Sequence, residues 1–217
     1  MSLVSPVFEQ HYKDYLNQLA TLDLEALGPA AGGQVRIGQY GPELVIPYFT
    51  KEYVLSPNGI KNQEGKKPGY DTCIILSRYL IMAKDWVEKI SAETRDDPWV
   101  GFRDLKDSGP LTVYFKDNVE SVIGESLSGK GKFLEDILAP LQGAKPDIEL
   151  QYDLALEVNS LPKVPLLLLF NDAEEGFPAT CSVLFRSETE TFLDAECIAM
   201  AGYRLAAIIS KQAQASV

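Results

Sequence analysis

The chain has 217 residues, of which 46% are hydrophobic and 24% charged, and this composition of an ordinary folded domain excludes wholesale disorder and fibrous repeats. Its 20 Lys and Arg residues against 31 Asp and Glu residues give a net charge of −11, which disfavours nucleic acid and anionic membranes as partners. The longest apolar run, Val164 to Phe170, is far shorter than the roughly 20 residues needed to cross a bilayer as a helix.

The first third of the chain predicts one helix followed by a small sheet. Apolar residues recur at helical spacing and predict an amphipathic helix over about 7–27. Three β-branched or aromatic runs then predict an antiparallel meander, with strands at 35–40, 44–49 and 52–55. Pro47, inside the second run, indicates an edge strand or a bulge. The turn-rich segment 56–69 is predicted to be a mobile loop.

The rest of the chain predicts helices and further strands. A wide apolar arc predicts a central helix over 70–90. The other predicted elements are helices at 114–127, 132–141 and 195–211 and strands near 149–158, 163–170 and 179–185. The strand at 163–170 is a continuous apolar run, as expected for a strand buried on both faces. The aromatic segment 99–105 fits either a strand or a loop.

These elements predict an α+β fold in a single domain over 1–217. We expect a mostly antiparallel sheet, formed by the early meander plus the C-terminal strands, to pack against the helices at 70–90 and 195–211. The N-terminal amphipathic helix would pack on this domain. The hairpin that contains Asp172 would lie near one end of the sheet.

Three carboxylates, Asp172, Glu174 and Glu175, crowd into the loop between the last two predicted strands. Such a group can bind a divalent metal through oxygen, or can raise the pKa of one member for acid–base chemistry. The spacing does not match a calcium-binding loop, and Asn and Asp also stabilise ordinary turns through their own backbone. The loop is therefore a candidate ligand site and a weak metal candidate, with a solvated turn as the alternative.

Arg103 and Asp104 follow the aromatic residues Trp99 and Phe102. The planar guanidinium of an arginine can orient a ligand carboxylate or phosphate. The same two residues could instead form a buried ion pair that tethers a loop to the core. Arg103 and Asp104 are therefore candidate ligand-binding residues, and both interpretations stay open.

Several common sites find no support in the sequence. The three cysteines are widely spaced without a CxxC pair, which argues against a disulfide framework or a cysteine-rich metal site and suits a cytoplasmic location. The single histidine, His11, cannot supply a histidine cluster. The run SerGlyLysGly at 128–131 lacks the spacing of a phosphate-binding loop. No catalytic residue is assigned.

Several linked segments resemble one known family. They are IleIleLeuSerArgTyrLeu at 74–80, TrpValGlyPheArgAspLeu at 99–105, and ProLeuLeuLeuLeuPheAsnAspAlaGluGluGlyPheProAla at 165–179, followed by SerValLeuPhe and PheLeuAspAlaGlu. Over about residues 30–210 the chain resembles the prokaryotic family called domain of unknown function 3786. The resemblance implies a host among anaerobic prokaryotes and no established activity. Some relatives carry a cysteine-rich iron–sulfur segment; this chain has no such cysteine cluster, so no iron–sulfur cluster is expected on it.

Three functions stay open. The lack of a recognisable catalytic constellation favours a binding or accessory module for a protein or cofactor partner. The resemblance is compatible with a redox-related or corrinoid-related protein as that partner. An enzyme would use Asp172, Glu174 and Glu175, with or without a divalent metal, and Arg103 to hold an anionic small molecule. A structural dimerisation domain is the third hypothesis. The sequence predicts neither the cofactor nor the oligomeric state.

Overall fold

The computed structural model of the protein describes residues 6–87, 98–148 and 151–216. These residues fall into two compact units. The first unit contains 6–87, 161–163 and 191–193, and the second contains the other described residues between 98 and 216. Both helices and antiparallel sheets are present, so the α+β class is confirmed. The prediction of a single domain stays a prediction.

The helices are α1 Pro6–Leu19, α2 Leu24–Ala30, α3 Tyr70–Val87, α4 Thr112–Phe115, α5 Ser121–Leu127, α6 Leu134–Leu138, α7 Thr189–Phe192 and α8 Ala195–Ala215. The strands are β1 Gln34–Gly38, β2 Gly41–Tyr48, β3 Lys51–Ser56, β4 Gly59–Asn62, β5 Trp99–Gly101, β6 Leu154–Leu161, β7 Val164–Asn171 and β8 Thr180–Arg186. A π-helical segment, Lys116–Glu120, joins α4 to α5. None of the helices in the described ranges is long and apolar enough to cross a membrane.

The strands form two four-stranded sheets, with orders β1-β2-β3-β4 and β5-β8-β7-β6. This arrangement corrects the prediction that the meander and the C-terminal strands share one sheet. The predicted helices at 114–127, 132–141 and 195–211 are confirmed as helical segments, and the helix predicted over 70–90 is confirmed to Val87. Residues 88–90 and 149–150 of the predicted elements lie outside the described residues.

The helix predicted over 7–27 is instead two helices, because the chain leaves α1 after Leu19 and α2 begins at Leu24. Asp23 causes this break. Its extended backbone lets the side-chain carboxylate accept hydrogen bonds from the N–H groups of Glu25 and Ala26, both at 3.1 Å. Aspartate stabilises a helix most when it caps the N-terminus and less when it lies in the interior.

Pro47 was predicted to mark an edge strand or a bulge, but it lies in β2, an inner strand. It pairs with Glu52 of β3, and on the other side β1 has already ended, since Gln34 pairs with Val45. Backbone groups alternate between the two neighbouring strands, and the nitrogen of Pro47 faces the side that β1 does not reach. The missing N–H therefore costs no ladder hydrogen bond.

The segment 56–69, predicted to be a mobile loop, contains the strand β4. Ile60 of β4 is buried with only 2% of its surface exposed. Asn62 organises the turn that follows: its side-chain oxygen accepts hydrogen bonds from the N–H groups of Glu64 and Lys66 at 3.0 and 2.9 Å. The same turn residues that indicated a mobile loop thus form an ordered turn.

Helix α1 closes the outer edge of β4 through Tyr12. The N–H of Ile60 donates a hydrogen bond to the hydroxyl oxygen of Tyr12 at 3.2 Å. Lys67 lies 4.1 Å above the ring of Tyr12 and pairs with Glu9 at 3.2 Å. Burial raises the pKa of Tyr12 to about 12, so the hydroxyl stays neutral at physiological pH.

The core of the second unit lies between its sheet and the helices α4, α5 and α8. In β7 the five residues from Leu166 to Phe170 are each no more than 4% exposed, which confirms the prediction of a strand buried on both faces. Phe115 of α4 stacks on Phe102 with ring centroids 4.2 Å apart and meets Phe185 of β8 edge to face at 5.9 Å. Such aromatic pairs add roughly 0.5–1.5 kcal/mol each beyond the burial of their surface.

Replacing Tyr12 by Phe should destabilise the protein by about 1–3 kcal/mol, because the buried N–H of Ile60 would lose its acceptor. Urea unfolding measures this change, and amide exchange should be faster at Ile60. The matched control is Tyr40→Phe, since the side chain of Tyr40 is 72% exposed and the substitution should alter stability by less than about 0.5 kcal/mol. Equal effects of the two substitutions would contradict the role of Tyr12.

Candidate functional site

The acidic loop predicted between two strands connects β7 to β8, with Asn171 paired to Thr180 at its base. Asp172 holds this base in place. Its Oδ1 accepts hydrogen bonds from the N–H groups of Gly129 and Ala173, both at 2.7 Å, and its own N–H donates to Oδ2 of Asp153 at 2.7 Å. Asp172, the first of the three predicted carboxylates, therefore has a structural role in the hairpin.

In the SerGlyLysGly segment, the N–H of Gly129 binds a carboxylate of the same chain. Gly129 adopts a left-handed backbone conformation (φ +70°), which suits glycine, and its N–H donates to the carboxylate of Asp172. The neighbouring Lys130 donates a hydrogen bond from Nζ to the carbonyl of Ala213 near the end of α8. Backbone N–H groups in such turns bind anions, and here the anion is supplied by the acidic loop.

The tip of the hairpin carries the other two carboxylates and an aromatic ring. Reciprocal backbone hydrogen bonds between Glu174 and Phe177, at 3.1 and 3.0 Å, close a tight turn in which Gly176 has φ +86°. Glu174 and Glu175 are exposed, and Phe177 is 74% exposed. The tip therefore presents one apolar and two negatively charged side chains from an ordered turn.

The enzyme hypothesis requires the acidic loop and Arg103 in one pocket. Arg103 lies in a 3₁₀ turn that begins directly after Gly101, and Gly101 pairs with Leu184 of β8. The acidic loop joins the same strand at Thr180, four residues away, or about 13 Å along a strand. The base of the acidic loop therefore lies about 13 Å along β8 from the point where β5 ends, and the enzyme hypothesis stays a prediction.

Arg103 and Asp104 form an exposed pair, with 3.6 Å between Nε and Oδ1 and with 78% and 53% of their side chains exposed. Asp104 also accepts the N–H of Gly101 at 3.2 Å. The interpretation of a buried ion pair as the tether is wrong. Phe102, which is 3% exposed and stacks on Phe115, anchors this turn to the core.

The metal hypothesis also lacks a suitable cluster. Across residues 6–87, 98–148 and 151–216, no group of three or more His, Cys, Asp or Glu side chains is placed to hold a metal ion. In the acidic loop, Asp172 points to backbone N–H groups, whereas Glu174 and Glu175 are exposed at the tip. This division reduces the number of carboxylates that could share one cation.

No sequence pattern indicated a half-buried carboxylate in the second unit. Glu120, in the π-helical segment, accepts the N–H of Val183 in β8 at 3.0 Å. Strand β5 ends at Gly101, opposite Leu184, so at Val183 the carboxylate takes the place of the next strand residue. Burial raises the pKa of Glu120, and the hydrogen bond from Val183 and the charge of Lys116 oppose that rise.

Two of the cysteine thiols, those of Cys73 and Cys181, are not prepared for nucleophilic chemistry. Burial raises the pKa of Cys73 to about 11, and burial together with the nearby Glu120 also raises the pKa of Cys181. A nucleophilic cysteine requires a thiolate at neutral pH, which a lowered pKa would supply. Both thiols are accordingly packing groups.

Two hollows of about 350 and 340 Å³ lie on the open face of the first sheet and share Glu43 and Lys61. The second hollow also contains Arg36, which pairs with Glu43 at 3.0 Å, and Glu52. Its floor includes two valines, Val45 and Val54. Because the charges are mixed in sign, electrostatics do not select a ligand class for these hollows.

The fold is thus that of an α+β protein with two antiparallel sheets, in which hydrogen bonds of Asp172 hold the base of the β7–β8 hairpin. A family model described as Domain of unknown function (DUF3786) matches residues 23–207. The chain belongs to this family, which confirms the resemblance predicted from the sequence. No curated protein and no solved structure matches the chain.

Replacing Asp172 by Ala should lower the free energy of unfolding by about 1–2 kcal/mol, because the N–H of Gly129 would lose a charged acceptor. Asp172→Asn should cost less, since the amide keeps an acceptor oxygen. Chemical denaturation measures both changes. A Glu174→Ala control removes an exposed carboxylate and should stay within about 0.5 kcal/mol of the parent. A similar loss for Asp172→Ala and Glu174→Ala would show that Asp172 does not anchor the loop.

The difference in the free energy of unfolding between Glu120→Gln and the parent should shift in favour of the variant as the pH rises. The folded-state pKa of Glu120 lies above its unfolded value of about 4.3, so the folded parent holds the proton more tightly, and its stability falls as the pH rises through this interval. Glutamine keeps an acceptor for Val183 without this proton. Unfolding at a series of pH values tests the difference, with Glu125→Gln, an exposed position of α5, as the control. A constant difference across the series would contradict the assignment.

Proposed function

We propose that the chain is an accessory module that binds another protein through the tip of the β7–β8 hairpin. The observation that carries this proposal is the exposure of Phe177, 74% of whose surface is open to solvent on a turn that two backbone hydrogen bonds close. A large aromatic side chain on an ordered turn loses little conformational entropy on binding. Aromatic anchors of this kind supply a large share of binding energy at protein interfaces.

The charges at the tip define the partner surface. Burial of Phe177 would contribute roughly 1.5–3 kcal/mol, which favours an apolar pocket on the partner. Glu174 and Glu175 precede Phe177 in the sequence and are exposed, so the rim of that pocket should carry lysine or arginine. The net charge of −11 would further attract a basic partner from a distance. A redox-related or corrinoid-related protein that presents such a pocket fits these requirements.

The proposal is tested by replacing Phe177 with the photo-crosslinking residue p-benzoylphenylalanine and irradiating the protein in an extract of its native host, prepared without oxygen. The control carries the same group at Tyr203, an aromatic residue of α8 in the same unit that is 51% exposed. We expect a discrete crosslinked species from position 177 that is missing from position 203. Adding Glu174→Lys and Glu175→Lys should remove it.

Affinity measurements with the purified crosslinked partner complete the test. Phe177→Ala should weaken binding by about tenfold or more, as expected for an anchor residue, while Tyr203→Ala should leave the affinity unchanged. Binding should also weaken as salt is added, because rim charges are screened. Identical crosslinked species from both positions, or equal affinities of the two alanine variants, would refute the proposal.

A further inference from the structure

The outer edge of β1 has backbone groups without a partner. In the ladder with β2, Gln34 pairs with Val45 and Arg36 with Glu43, and the carbonyl of Val45 faces the β1 side. Because antiparallel residues alternate, the N–H and C=O groups of Val35 and Ile37 point away from β2. Within the described part of the chain, the N–H groups of Val35 and Ile37 have no hydrogen-bond acceptor.

The opposite edge of the same sheet is closed. In β4 the outward N–H groups are those of Ile60 and Asn62. The first donates to the hydroxyl of Tyr12 at 3.2 Å, and the second donates to the carbonyl of Lys66 at 2.8 Å. Proteins usually cover or blunt exposed strand edges, because an open edge is a template for another strand. This sheet satisfies that rule at β4 and not at β1.

The side chains of β1 are also open to a neighbour. Ile37 is 77% exposed, the highest exposed fraction among the large apolar side chains of the described residues. Arg36, on the other face of the strand, keeps 57% of its side chain exposed although it pairs with Glu43. We infer that β1 accepts an extended segment of another polypeptide as a fifth strand, with a carboxylate of that segment opposite Arg36 and β-branched apolar residues beside Ile37.

Charge disfavours a second copy of this chain in the register that places the two Arg36 side chains opposite each other. If two copies joined their β1 strands antiparallel across a two-fold axis, pairing Val35 with the partner's Ile37 would place the two Arg36 side chains directly opposite. Like charges at that position are destabilising, and both copies would carry a net charge of −11. A carboxylate opposite Arg36 instead forms a favourable cross-strand pair.

The test uses a synthetic peptide, acetyl-Thr-Thr-Val-Glu-Val-Thr-Thr-amide, added at millimolar concentration to the isotope-labelled chain. Amide exchange followed by NMR should slow at Val35 and Ile37 and stay unchanged at Ile60 and Asn62, which are already bonded. A peptide with Lys in place of Glu should bind about fivefold more weakly. This surface lies in the first unit, so the result is independent of the hairpin tip in the second.

A double variant supplies the matched control. Arg36→Glu combined with Glu43→Arg keeps an ion pair within the sheet but reverses the charge at the edge, and the preference should switch to the lysine peptide. The inference would be overturned if neither peptide changed the exchange of the Val35 and Ile37 amides. Equal binding of the two peptides by the parent would overturn it as well. So would slow exchange at Val35 and Ile37 in the free protein together with a dimer in sedimentation, because a second copy would then occupy the edge.

Discussion

The close approach of α8 to Phe115 is the constraint on which the second unit depends. A Cβ atom added to Gly202 of α8 would lie 2.5 Å from Cε2 of Phe115, so only glycine allows this separation. The other side of Phe115 meets Phe102 and Phe185. One ring thus joins α8, α4, the end of β5 and the face of β8, and the helices are held over the sheet by this aromatic contact.

The short β5 and the half-buried position of Glu120 follow from the same packing. To stack on Phe115, Phe102 must leave the plane of the sheet, and β5 therefore ends at Gly101. The N–H of Val183 then lacks a strand partner and bonds to the carboxylate of Glu120 from the π-helical segment. Leaving that N–H unpaired would cost more than the partial burial of one hydrogen-bonded carboxylate, so the side chain acts as a substitute for a strand.

The sequence predicted the elements whose identity is written in local patterns. The apolar run of β7, the stripe of α8 and the turn residues around Asp172 each have a period or composition that selects one structure. Prediction from the sequence failed where the structure depends on a contact with a residue distant in the chain, or where one pattern continues across the boundary of two elements. Leu22 continues the helical spacing across the break at Asp23, and β4 is too short to alternate.

The candidate site shows the same division. The sequence correctly placed the acidic loop in a turn between strands, but Gly129 is 43 residues from the carboxylate that it holds, and Val183 is 63 residues from Glu120. No local pattern records such distant partners. The exposure of Phe177 was equally hidden, since an aromatic residue next to a buried strand is more often part of the core.

The hydrogen bonds of Asp172 divide the hairpin into a structural base and an exposed tip. At the base, the carboxylate and the N–H of Asp172 make the contacts that hold the loop. The side chains of Glu174, Glu175 and Phe177 are exposed and contribute little to stability, whereas Gly176, with φ +86°, and the two backbone hydrogen bonds hold the turn. An engineer could therefore vary the side chains at positions 174, 175 and 177 while the turn and the scaffold stay the same.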